Sequence, residues 1–106
     1  MGSPTSRTLA ELRKRGYRAD IVERRLGSFV TKDLFGFIDV LAIKDGDVLA
    51  VQTTSGSNVS ARVRKIESNE LADALADVRK LGWAIHIHGW RKNAKGRYVL
   101  REVDLS

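Results

Sequence analysis

The stretch FGFIDVLAIKDGDVLAVQTTS, residues 35–55, contains two apolar runs separated by Asp45-Gly46. An Asp-Gly pair between alternating apolar residues is a strong short-range signal of a β-hairpin, because both turn positions need a positive φ. The pattern therefore predicts strands over residues 35–43 and 47–53. A two-residue turn also determines the register, so Lys44 should face Asp47, and the same ladder continued places Asp39 opposite Gln52.

Polar side chains are predicted to meet near the open end of this hairpin. Alternation with period two puts Thr54 on the face of Asp39 and Gln52, and turns Thr53 away. A cross-strand hydrogen bond on a solvated face would explain the pair without any function. The same face also carries Phe37, however, and an acid among apolar neighbours is costly unless it is paired. A divalent cation would remove that cost, because carboxylate, amide and backbone oxygens are ligands that Mg²⁺ accepts.

Outward from the hairpin, apolar spacing, caps and glycines indicate the remaining elements. In chain order they are a helix over about 5–15 capped by Thr5 or Ser6, a strand over 17–24, a loop over 25–34, a short helix over 59–66, a helix over 69–81 that could continue it, and strands over 83–90 and 97–103. The order α-β-β-β-α-β-β predicts one α/β domain over residues 1–106, with a central mixed sheet flanked by helices. Residues 1–4 are expected to be disordered or a remnant of expression.

Composition narrows the class of protein. The chain has 106 residues, 42% of them hydrophobic and 30% charged, which is ordinary for a globular domain. No apolar run approaches the roughly 20 residues that a membrane-spanning helix needs. The absence of cysteine excludes disulfides and thiolate metal sites. Without a signal-peptide pattern, we expect an intracellular, cytoplasmic protein with no membrane partner.

Positive charge is concentrated in clusters. The formal net charge is +6, a level at which phosphate polyanions become plausible partners. DNA is the expected partner, although such clusters are also found on merely solvated faces. The candidate nucleic-acid-binding residues are Arg24, Arg25, Arg62, Arg64, Lys65, Arg91 and Lys92.

The segments Gly-Phe-Ile-Asp-Val-Leu-Ala at 36–42 and Val-Gln-Thr-Thr at 51–54, within the predicted element order, resemble the PD-(D/E)XK nuclease superfamily. The likeness is particularly to its small phage and Holliday-junction-resolvase-like members, and it covers about residues 5–90. The resemblance implies a restriction-endonuclease-like fold and a bound Mg²⁺ or Mn²⁺. It also implies a protein that acts inside the cell and could be encoded by a phage.

The resemblance also implies roles for particular residues. Asp39 is the metal-binding acid, Gln52 holds the position of the second acid, and the carbonyl of Thr53 completes the metal ligands. Thr54 holds the position of the lysine that helps to activate water. The acid that the first helix often contributes would be Glu11, while Glu23 on the first strand competes for a supporting role.

Two departures from the family pattern weaken the expected site. Gln52 in place of Glu keeps an oxygen ligand but removes a charge, and Thr54 in place of Lys removes a cation that would stabilise the nucleophile or transition state. We therefore expect weak metal affinity, with Arg62 or Lys65 as the substitute cation. Lys32-Asp33 could approach the same site from the loop.

The sequence thus predicts a Mg²⁺-dependent DNA endonuclease or resolvase-like phosphodiester hydrolase acting on branched or duplex DNA, with a homodimer if the cut is paired. The alternative from another class is a catalytically inactive nucleic-acid-binding module of the same fold. A third interpretation is a protein-interaction domain with incidental charge.

His86, His88 and Trp90 alternate on one face of a predicted strand. Two histidines at i and i+2 can ligate zinc, but the sequence places no third or fourth ligand near them. We therefore expect a half-exposed strand face, on which Trp90 stacks on a base or covers the edge of the core.

Overall fold

A five-stranded mixed sheet organises the chain in the computed structural model, which describes residues 2–28 and 30–106. The elements are α1 Pro4–Lys14, β1 Arg18–Ile21, β2 Arg24–Arg25, β3 Thr31–Lys32, β4 Val40–Lys44, β5 Asp47–Ser55, α2 Val59–Ile66, α3 Ala72–Lys80, β6 Ala84–Lys92 and β7 Tyr98–Asp104.

The strands of the sheet follow the order β1-β4-β5-β6-β7. The pair β5 and β6 is parallel, and its connection carries α2 and α3. The other three pairings of this sheet are antiparallel, and β2 pairs with β3 in a separate small hairpin. The predicted fold class, a single α/β domain with a central mixed sheet and flanking helices, is confirmed.

The central hairpin has the predicted register. Lys44 faces Asp47 and Val40 faces Val51 across β4 and β5. The turn residues Asp45 and Gly46 have φ values of 53° and 83°, as a type I′ turn requires. Local turn chemistry therefore determined the pairing of these strands.

The first strand of the hairpin is shorter than predicted, because β4 begins at Val40 and not at residue 35. Phe35 and Gly36 have positive φ values of 55° and 86°, and Leu34 bridges back to Ile38. The chain therefore makes a tight turn where an extended strand was predicted. Phe37 is buried in this turn. Its apolar side chain therefore fitted the alternating pattern that predicted a strand, although the residue lies in a turn.

Two other predicted boundaries change. The strand predicted over 17–24 ends at Ile21, and the loop predicted over 25–34 contains parts of the β2–β3 hairpin. Phe29 of that loop lies outside the described residues. The helices α2 and α3 are separate, with a 3₁₀ turn over Asn69–Leu71 before α3.

The first helix begins earlier than predicted. Ser3 is its N-cap and forms a capping box with Ser6, so the cap is not Thr5 or Ser6. Pro4, at the first helical position, suits this start because the missing N–H would have no partner there. Residues 2–4, expected outside the fold, thus include the start of α1, while Met1 lies outside the described residues.

Helices cover both faces of the sheet. Alternation along β5 sends Ala50 toward α2 and α3, and Leu49 and Val51 toward α1. One buried cluster consists of Phe37, Ile38, Ala50, Val59, Ile66, Leu75, Val78, Ile85 and Ile87. The other consists of Leu12, Ala19, Val40, Ala42, Leu49 and Val51. Within the two described ranges, no helix combines the length and apolar character that crossing a membrane requires.

Gly89 allows α2 to approach the sheet closely. A Cβ at this position would lie 2.3 Å from Val59 Cγ2, so we expect Gly89→Ala to destabilise the fold by about 1–3 kcal/mol through overpacking. Removing the opposing methyl groups with Val59→Ala should relieve part of that loss. Urea unfolding of both single variants and the double variant would measure this coupling, and strictly additive losses would contradict the proposed clash.

Candidate functional site

Asp39 joins the start of β4 to β5 through one carboxylate oxygen. Its Oδ2 accepts hydrogen bonds from the Thr53 backbone N–H at 2.8 Å, the Thr53 hydroxyl at 3.1 Å and Gln52 Nε2 at 2.6 Å. The predicted contact between Asp39 and Gln52 is therefore present. All three bonds reach Oδ2, and the other oxygen, Oδ1, receives none of them.

The side chain of Thr53 differs from its prediction, because it was expected to point away from Asp39. Its Oγ1 contacts Asp39 and also lies 2.7 Å from Thr5 Oγ1 at the start of α1. Asp39 lies at a bend just before the regular ladder, so its carboxylate can reach past the face it would occupy within a strand. The bend therefore links the hairpin to α1.

Two further acids approach Asp39. Glu23 lies between β1 and β2, Asp33 directly follows β3, and one carboxylate oxygen from each of the three acids lies within 4.8 Å of the others. Glu23 was predicted in a supporting role, and Asp33 belongs to the loop pair that was expected to approach the site. The three acids, called here the carboxylate cluster, form a group that could hold a metal ion.

Burial and mutual repulsion make the carboxylate cluster costly without a cation. Burial, an interaction with Asp33 and the nearby negative charges raise the pKa of Asp39 from 3.8 to about 7, although the Thr53 backbone N–H opposes this shift. Burial, followed by the charge of Asp33, also raises the pKa of Glu23, while Arg25 opposes it. A proton or a bound cation would relieve this repulsion.

The amide of Gln52 adds an unpartnered acceptor to the same place. Its Nε2 donates to Asp39 and lies 3.5 Å from Asp33 Oδ2, but its buried Oε1 has no hydrogen-bond partner among the described residues. Turning the amide by half a rotation would present the carbonyl oxygen to the carboxylates. That orientation becomes favourable only when a cation lies between the carbonyl oxygen and the carboxylates. The Gln52 side chain therefore suits the site both with and without a bound cation.

The carboxylate cluster lies in a cleft of about 610 Å³, within the range of small-molecule sites. Three cationic side chains, Lys32, Arg62 and Lys65, line the same cleft. Within residues 2–28 and 30–106, none of these cations forms an ion pair with the acids. The cleft thus combines acids with positive charges that form no ion pair with them among the described residues.

Thr54 lines the cleft and is buried, but its hydroxyl carries no charge. Glu11 is not brought to this site. Its carboxylate accepts a hydrogen bond from Arg15 instead, because α1 presents its first residues, Pro4 and Thr5, to the cleft. Glu11 lies six residues, or about 9 Å of helix, further along.

The other predicted nucleic-acid-binding residues are distributed around the molecule. Arg24 and Arg25 are exposed on β2, where Arg24 faces Lys32 of β3. Arg64 is exposed in the last turn of α2, while Arg91 and Lys92 are exposed at the end of β6. Sequence clustering identified these charges, but only Arg62 and Lys65 of that set line the cleft.

The opposite face of the sheet carries a second group that could hold a metal ion, consisting of His86, His88 and Glu102. Glu102 faces His88 across β6 and β7, and offers a third potential ligand that the sequence alone could not place. His88 is fully buried, which corrects the expectation of a half-exposed face. The indole N–H of Trp90 donates to Thr8 Oγ1 of α1 at 2.9 Å, so this ring closes the edge of the core.

No protein-family model matches the chain, and no curated protein matches it. Function must therefore be inferred from the chemistry of the two side-chain groups.

The raised pKa of Asp39 predicts how stability depends on pH in the presence of EDTA. A carboxyl whose pKa is higher in the folded state contributes stability below its unfolded pKa, and this contribution is lost as the pH rises through the folded value. Relative to Asp39→Asn, the wild type should therefore lose on the order of 4 kcal/mol between about pH 4 and pH 8. Urea unfolding across this range measures the difference, and a pH-independent difference would contradict the shift.

Proposed function

We propose that this chain is a Mg²⁺-dependent phosphodiester hydrolase acting on DNA, a PD-(D/E)XK-like nuclease in which Gln52 and Thr54 replace the second acid and the lysine. The observation that carries the proposal is the carboxylate cluster beside the unpartnered Gln52 Oε1, in a cleft that is also lined by cations. A phosphodiester needs both features, since the metal requires oxygen ligands and the phosphate requires positive charge.

The residues of the carboxylate cluster fit a hard divalent cation. Asp39 and Gln52 Oε1 would bind the ion, with the Thr53 carbonyl as a further ligand, and Asp33 offers another carboxylate close by. When bound, Mg²⁺ or Mn²⁺ polarises a phosphoryl oxygen and lowers the pKa of a coordinated water. Glu23, whose pKa is raised by burial, would accept a proton from that water.

Cations from α2 would take over the function that Thr54 cannot perform. Arg62 and Lys65 line the cleft, whereas the Thr54 hydroxyl supplies no charge. Guanidinium and ammonium groups bind phosphate oxygens and stabilise the additional negative charge of the transition state. Lys32 approaches from the β2–β3 hairpin, so both boundaries of the cleft contribute positive charge.

DNA would lie across this cleft, between α2 and the β2–β3 hairpin. Arg24 and Arg25 extend the positive charge on the hairpin, and Arg64 extends it on α2. Contacts of this type bind the phosphate backbone of branched or duplex DNA without reading its sequence. A paired cut would require a second copy of the chain.

One observation favours a binding module instead of an enzyme. Thr54 is buried at the position where the resembled family has its lysine, so the charge at that position is missing. A protein that bound DNA through Arg62 and Lys65 without cutting it would have the same charged cleft. Cleavage assays separate these two functions.

Asp39→Asn tests the enzyme directly. This change removes one metal-binding charge and keeps the shape of the side chain, so we expect Mg²⁺-dependent cleavage of plasmid and branched DNA to fall by at least about 100-fold. DNA affinity should be unchanged or higher, because a negative charge beside the phosphate is lost. Asp77→Asn, on an exposed part of α3, is the matched control and should cut normally.

The wild type should be inactive in EDTA and active with Mg²⁺ or Mn²⁺. If it cuts no DNA with either ion, Gln52→Glu combined with Thr54→Lys should generate activity by restoring the missing charges. If this double variant also cuts nothing, while all variants bind DNA equally, the nuclease function is refuted. The chain is then a DNA-binding module.

The DNA-binding surface is tested by Arg62→Ala combined with Lys65→Ala. If each side chain neutralises one phosphate, the slope of log K against log salt should fall by about 0.9 for each residue removed. Lys14→Ala combined with Arg18→Ala removes the same charge away from the cleft and should leave the slope nearly unchanged. Equal effects of the two pairs in anisotropy titrations would show that the cleft is not the binding surface.

A further inference from the structure

Three potential ligand atoms converge on the sheet face that lies under α1. His86 and His88 point to this face from β6, and Glu102 joins them from β7. Glu102 Oε2 lies 3.2 Å from His88 Nε2 and 3.6 Å from His86 Nδ1. This His–Glu cluster is on the opposite face of the sheet from the carboxylate cluster.

Both of these ring nitrogens are buried without a hydrogen-bond partner among the residues that the structure describes. His88 is fully buried, and the 3.2 Å approach of its Nε2 to Glu102 lacks the geometry of a hydrogen bond. Unpartnered buried polar atoms are rare because nothing replaces the hydrogen bonds that they lose to water. A bound ligand would make up for this loss at both rings.

A contact on the other ring nitrogen of His88 leaves Nε2 available as a ligand. His88 Nδ1 lies 3.2 Å from Thr8 Oγ1. With the proton on Nδ1 donated to Thr8, the lone pair of Nε2 faces the carboxylate.

We propose that His86 Nδ1, His88 Nε2 and Glu102 Oε2 form a binding site for a divalent transition metal ion, with Zn²⁺ as the expected ion. Imidazole and carboxylate ligands in this number are typical of three-ligand zinc sites, in which water or an outside molecule takes the fourth position. Bond lengths of 2.0–2.1 Å separate tetrahedral ligand atoms by about 3.3 Å. The observed separations of 3.2 and 3.6 Å come close to this value.

Neighbouring groups already orient two of the ligands. Thr8 holds His88, and Arg15 donates to both oxygens of Glu102 at 2.8 and 3.2 Å. Hydrogen bonds of this kind to metal ligands are usual in zinc sites. His86 keeps 24% of its side chain exposed, so an ion can enter from solvent. The metal would join β6 to β7 beneath α1.

Zn²⁺ titration of the untagged full chain tests the site. We expect one ion per chain outside the carboxylate cluster, with affinity reduced at least about 10-fold by His86→Ala and by Glu102→Gln. Asp47→Asn is the matched control, since Asp47 is exposed at the start of β5 and belongs to neither cluster. Asp39→Asn should not alter this site. Circular dichroism verifies that each variant is folded.

Co²⁺ provides a spectroscopic test that needs no enzymatic activity. Its complex should show the intense visible absorption of a four-coordinate N/O site in the wild type and in Asp39→Asn, and lose it in His86→Ala. Zn²⁺ addition should also shift the ¹⁵N resonances of His86 Nδ1 and His88 Nε2. Unchanged Zn²⁺ affinity in both ligand variants, or loss of binding only in Asp39→Asn, would overturn the proposal.

Discussion

The hydrogen bonds from β5 to Asp39 Oδ2 are the constraint on which the arrangement of this protein depends. They hold the start of β4 against Gln52 and Thr53 at the point where the regular ladder ends. The preceding turn then leads back to Asp33, which brings a second acid beside the first. Because the Thr53 backbone N–H is one of the donors, these contacts couple the shape of the backbone to the position of the carboxylate.

Alternate side chains of β5 point to two chemically different faces of the sheet. Gln52 and Thr54 face the cleft beside α2, while the hydroxyl of Thr53 reaches Thr5 of α1. On the parallel neighbour β6 the same alternation sends Ile87 into one core and His88 under α1. Two clusters of ligand atoms can therefore occur in one small domain without sharing a side chain.

The three acids of the cleft reduce the stability of the fold at the place where a metal-binding function would need them. Three acids close together favour protonation or a cation, and buried Gln52 Oε1 remains without a partner among the described residues. Sequence rules that favour folding are commonly broken at functional sites, and the rest of the domain compensates. Two apolar clusters, one on each side of the sheet, supply that compensation here.

Local chemistry in the sequence determined the hairpin register, the contact of Asp39 with Gln52 and the α/β class, because turn residues and side-chain periodicity act over a few residues. The sequence offered Glu23 and Asp33 as residues near the site of Asp39, but it could not determine how closely the three acids meet, since they lie on separate segments whose meeting depends on the turn at Phe35-Gly36. It also assigned Glu11 to the site, because residue type does not reveal which end of a helix approaches the cleft. Glu102 joined His86 and His88 only through pairing of β6 with β7. Tertiary structure decides such contacts because they depend on strand pairing and on helix packing between distant parts of the chain.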